Sequence, residues 1–174
     1  KHNCPNNANP ACTGSIYDTM LAKGTFGTCT ENYAFFMGGS GISQFVVYNG
    51  SGCSGGFTTN GNAWPNNTWM HVVGKYNGTH IVQYENGVKT SSIATPTPPR
   101  STATSLKIGG GVAGNTWNGS IDEVMIFNES LNLSQIQNIY NNQSARFKTS
   151  GTQEVKNFNF SLTIFPSRSR HLPL

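Results

Sequence analysis

Trp69-Met-His-Val-Val-Gly-Lys-Tyr76, Asn77-Gly78, Thr79-His-Ile-Val-Gln-Tyr-Glu85, Asn86-Gly87, Val88-Lys-Thr-Ser-Ser-Ile93 is the stretch that decides the fold. Two Asn-Gly pairs separate runs rich in β-branched and aromatic residues. Both central residues of a type I′ turn need φ > 0, which Asn and Gly tolerate, so each pair predicts a tight hairpin. Three antiparallel strands in a meander follow. The second turn sets Glu85 opposite Val88 and Tyr84 opposite Lys89, and a slip of one residue would turn every side chain to the wrong face.

The composition around this stretch agrees with an all-β protein. Of 174 residues, 10% are charged and 36% hydrophobic, enough for one core of ordinary size. Abundant Gly, Ser, Thr and Asn favour short strands joined by polar turns over amphipathic helices. The net charge of +4 is spread along the chain, with a late group of Arg146, Lys148, Lys156, Arg168 and Arg170. A nucleic-acid footprint normally clusters on one face, so no nucleic-acid partner is expected. No apolar run reaches the ~18 residues of a membrane span, and with neither an initiator Met nor a signal peptide the chain reads as a mature or excised soluble piece.

Working outward, residues 16–24, 33–37 and 42–48 have strand patterns separated by glycine turns. Gly38, Gly39 and Gly41 are not a phosphate cradle, because a strand pattern follows them rather than a helix. Residues 96–99, Pro-Thr-Pro-Pro, form an extended loop. A strand starts at Leu106, and residues 117–127 alternate so that Asp122, Val124 and Ile126 share one face. A single helix is expected over residues 135–141, with Ser134 as N-cap and Gln137 completing a capping box. In residues 154–166, Phe158, Phe160, Leu162 and Ile164 line one face of a long amphipathic strand.

The four cysteines, Cys4, Cys12, Cys29 and Cys53, lie in the first third without zinc spacing. Two disulfides are expected. Three pairings are open, of which Cys4–Cys12 with Cys29–Cys53 is favoured because short loops close most easily. Eight Asn-x-Ser/Thr sequons begin at Asn49, Asn66, Asn77, Asn118, Asn128, Asn132, Asn142 and Asn159. Disulfides and sequons agree on a secreted, extracellular or cell-surface setting.

The order Asn67-Thr-Trp69-x-His71-Val-Val, then Tyr76-Asn-Gly with Gln83-Tyr-x-Asn-Gly87, then Leu106-x-Ile-Gly109, then Asn118-Gly-x-Ile121-Asp-Glu-Val124, then Leu131-x-x-Ser134 resembles the laminin G-like branch of the concanavalin A-like lectin/glucanase superfamily. The resemblance covers roughly residues 33–141. It implies a two-sheet antiparallel jelly-roll sandwich that binds glycans or proteins or serves as a spacer. Two departures stand out: the front strands of the branch are expected to be absent before Tyr33, and a strand follows the helix where the family pattern ends. The expected division is a cysteine-bearing segment (1–32), a laminin G-like domain (33–148), and a C-terminal strand and tail (149–174). The spare strand either pairs in trans with a neighbour, folds back into its own sheet, or belongs to a longer protein.

The hydrolase relatives resemble one another in a Glu-x-Asp-x-Glu strand whose carboxylates share one face. This chain has no such spacing: Asp122 and Glu123 are adjacent and so face opposite ways, and Glu85 and Glu154 are isolated. His71 is read as structural beside Trp69. The chain is therefore expected to be non-catalytic and without a cofactor. Calcium is the superfamily's usual ion and wants several carboxylates; Asp18 or Asp122 with backbone carbonyls is the weak candidate. Tyr48, Trp64 and Trp117 are the aromatics placed to stack on sugar. The leading expectation is a structural or adhesive subunit of an extracellular assembly or filament, its partners like subunits or other extracellular proteins. The alternative is a carbohydrate-binding, lectin-like module of a larger secreted protein.

Overall fold

The computed structural model describes residues 1–2, 18–24, 31–38, 41–49, 56–95, 98–110 and 116–147. The strands are β1 (Asp18–Lys23), β2 (Tyr33–Met37), β3 (Ile42–Tyr48), β4 (Gly56–Ala63), β5 (Val72–Tyr76), β6 (His80–Glu85), β7 (Val88–Ala94) and β8 (Leu106–Ile108), and the helix α1 is Leu133–Ser144. A five-stranded sheet in the order β4-β3-β2-β1-β8 faces a three-stranded sheet in the order β5-β6-β7, and every paired strand is antiparallel. This is the expected sandwich with its short helix.

The meander forms as the sequence reads, with Glu85 paired to Val88 and Tyr84 to Lys89. Asn86 (φ 49°) and Gly87 (φ 77°) both occupy the left-handed region that a type I′ turn requires. The first hairpin differs from its expectation. Asn77 N donates to His80 O, so the central pair is Gly78-Thr79, with only Gly78 at positive φ, the pattern of type II′. Asn77 is drawn out of the centre because its Oδ1 accepts from the amides of both Thr79 and His80.

Three further expectations are corrected, and one strand that the sequence did not announce is added. The front of the sandwich is present: β1 pairs with both β2 and β8, so the five-stranded sheet runs through residue 33 rather than beginning there. Strand β4, Gly-Phe-Thr-Thr-Asn-Gly-Asn-Ala, was hidden by turn-forming residues and is held by its ladder to β3. The helix starts earlier, capped by Asn132 rather than Ser134. Asn132 Oδ1 accepts from Gln135 N, and the Gln135 side chain accepts from Asn132 N, closing a capping box two residues upstream. Residues 121–127 form no ladder; Glu123 at φ 52° breaks the alternation that a strand needs, and Asp122 is exposed rather than turned inward.

Alternation along β6 divides the interior. Val82 and Tyr84 pack outward against Leu131 and Ile136, so α1 covers that face of the smaller sheet. Ile81 points the other way, into the space between the sheets, against Phe45 and Val47 of β3.

Candidate binding site

Gln83 and Glu85 share the inward face of β6 with Ile81, which carries two polar side chains into the gap between the sheets. A buried carboxylate needs donors, and Glu85 has them from the opposite sheet and the residues just after it. Its Oε1 accepts from Ser43 Oγ (2.5 Å) and Trp64 Nε1 (2.8 Å), and its Oε2 from Asn62 N (3.0 Å) and Nδ2 (2.8 Å). Gln83 extends the network, accepting from Thr59 Oγ1 and Phe45 N and donating to Ser43 Oγ. Glu85 is therefore not isolated. Its partners lie more than twenty residues away in sequence, and the only clue was its place two and four positions after Gln83 and Ile81.

Beside this network, the gap between the sheets widens into a cavity of about 650 Å3, lined by both sheets, by residues 121–131 and by α1. Lys75 of β5 donates from Nζ to Leu131 O (2.9 Å), which ties the segment ahead of α1 to that strand. Val124, Met125, Ile126 and Phe127 line the cavity and are also 42–56% exposed.

His71 is fixed just ahead of β5: its N–H donates to Asn86 Oδ1 (3.0 Å), Asn86 N donates to its carbonyl, and its ring lies 5.7 Å from that of Tyr140. Its Nδ1 is buried without a hydrogen-bond partner, and burial lowers its pKa from the usual 6.5. Trp117 sits against His2 (4.8 Å between rings) and edge-on to Trp64 (6.4 Å), and its Nε1 is likewise buried without a partner.

The sequence-picked aromatics are distributed differently from a sugar platform. Trp64 is buried and hydrogen-bonded to Glu85, Trp117 packs beside it in the same cluster, and the Tyr48 ring lies under the Arg100 guanidinium at 5.7 Å. Asp18 is buried against His2 Nε2 (2.8 Å), while Asp122 is exposed with Oδ1 accepting from Glu123 N. Among the described residues no group of three or more His, Cys, Asp or Glu side chains is placed to hold a metal ion. Glu123 pairs with Arg146.

Among the described sequons, Asn77, Asn118, Asn128, Asn132 and Asn142 are exposed, and Asn49 and Asn66 are half-buried. Cys4, Cys12, Cys29, Cys53, Asn159, Phe158, Phe160, Leu162 and Ile164 lie outside the described residues. No described helix is long and apolar enough to cross a membrane.

Residues 9–137 match the laminin G-like family model described as the concanavalin A-like lectin/glucanases superfamily. No curated protein matches. Among solved structures the chain is similar to residues 221–444 of an S-layer domain-containing protein from Clostridium thermocellum, at 20% identity and a TM-score of 0.40. That likeness covers 73% of this chain and 64% of the other.

Proposed function

The chain belongs to the concanavalin A-like lectin/glucanases superfamily, and from that premise we propose that it is a non-catalytic structural or adhesive subunit of an extracellular assembly, completed by a strand from a neighbouring copy. One observation carries the reading: β5 lies at the edge of the smaller sheet, and no described strand pairs with its outer side. An open edge beside an exposed apolar run, Val124 to Phe127, is a template for strand addition. The amphipathic stretch 158–164 supplies the donor, with Phe158, Phe160, Leu162 and Ile164 on its apolar face. The sequons and cysteines support the extracellular setting. The carboxylates support the absence of catalysis, since Glu85 is saturated by structural donors and Glu123 is paired.

Light scattering of the native chain across a range of concentrations, beside Phe160→Asp, tests this. Large, concentration-robust polymers from the native chain, with monomers from the variant and chain arrest by a free peptide of residues 157–165, are expected. Folded monomers in both samples would refute strand donation and direct attention to a glycan-array screen.

A further inference from the structure

The described sequons gather at one place. All five exposed ones lie at the margin of the cavity beside β5. Asn128 lines it directly, and Asn132 follows the lining residue Leu131. The sequon of Asn142 contains Gln143 and Ser144, which also line the cavity, Asn118 follows Trp117, and Asn77 follows Tyr76, the last residue of β5. The opposite edge of the same sheet, β7, contains no asparagine. The two edges of one sheet therefore differ in what can be attached beside them.

An unpaired strand edge is a template for another extended chain, and proteins keep such edges apart by covering them. An N-linked glycan is bulky and hydrated, so one placed beside β5 excludes a second chain by its volume alone. Asn128 is the best placed of the five. It comes directly after the exposed apolar run Val124 to Phe127, and it lies in a bend outside helix and strand together with Glu129. Three of the others are committed locally: Asn77 Oδ1 holds the first hairpin, Asn132 caps α1, and Asn142 lies within that helix.

We propose that Asn128 is a glycosylation site that gates strand addition: a chain modified there is held as a monomer, and a chain with a bare Asn128 accepts a neighbour's strand at β5. In the modification, Asn128 Nδ2 attacks the anomeric carbon of a lipid-pyrophosphate-linked oligosaccharide. A C–N bond replaces the C–O bond to pyrophosphate, and the pyrophosphate leaves with the displaced amide proton. The gate rests on the strand-donation reading and adds the modification that controls it.

The full chain, secreted from a glycosylating eukaryotic cell line, is separated into monomer and polymer by size-exclusion chromatography, and occupancy at Asn128 is read in each fraction by glycopeptide mass spectrometry. Occupied Asn128 is expected in the monomer and bare Asn128 in the polymer. Ser130 is exposed, so Ser130→Ala removes the sequon while leaving Asn128 and the fold in place, and it should move the bulk of the material into the polymer. Ser130→Thr keeps the sequon and should keep the monomer. Phe160→Asp added to Ser130→Ala should restore the monomer. Equal occupancy in the two fractions, or a bare Asn128 in both, overturns the gate and leaves strand donation standing. Polymers that persist in the double variant, or monomers in every sample, overturn both.

Discussion

Trp64 Nε1 donates a 2.8 Å hydrogen bond to Glu85 Oε1, tying the residue that leaves β4 to the last residue of β6 in the opposite sheet. With Ser43 and Asn62 on the same carboxylate, the two sheets are joined by directional bonds as well as by apolar contact.

Glu85→Gln should therefore cost about 3 kcal/mol despite its near-identical shape. One acceptor oxygen becomes an NH2 facing either Asn62 or the Ser43–Trp64 pair, and buried donors are left unpaired. Urea unfolding followed by tryptophan fluorescence reads this directly. A midpoint within error of the native chain would show that the network adds nothing to stability.

Gly61 guards the same place. A Cβ added there would sit 2.1 Å from Glu85 Oε1 and 2.4 Å from Gln83 Nε2. Gly61→Ala should destabilise by about 2 kcal/mol through overpacking, whereas Gly110→Ala, with nothing within 4 Å, should be near neutral. Equal melting temperatures for the two variants would contradict this.

Acid should weaken the fold through His71. Burial lowers its pKa in the folded state, so the unfolded chain takes up the proton first as pH falls. The stabilisation is complete above about pH 6.5 and is lost as pH drops from there toward the folded-state pKa. His71→Phe should flatten that part of a stability–pH profile while leaving the remainder parallel. A native profile flat below pH 6.5 would remove the basis for this reading.

Much of the sandwich was legible because local chemistry and tertiary structure agree. Asn86-Gly87 fixes a turn and a register whatever surrounds it, and β2 and β3 have the β-branched and aromatic content of half-buried strands. β4 was illegible because its Gly, Thr and Asn residues have no strand preference of their own, and only the β3 ladder makes them extended. The segment around Asp122 failed the other way: it alternates like a strand, but one positive φ at Glu123 cancels the pattern. The candidate site was the least visible part. Glu85, Ser43, Trp64 and Asn62 come together only when two sheets stack, and orphaned atoms such as Trp117 Nε1 are a property of packing that no spacing encodes.

The two hairpin tips, so alike as Asn-Gly pairs, are unequal as places to modify the molecule. Asn86 is bound through both side chain and backbone to His71, and a Cβ at Gly87 would meet Tyr140 at 3.2 Å. Gly78 looks onto open space with Asn77 and Thr79 exposed beside it. An inserted epitope, a circular-permutation break or a fused domain therefore belongs at Gly78, where it can be carried without loosening the sandwich.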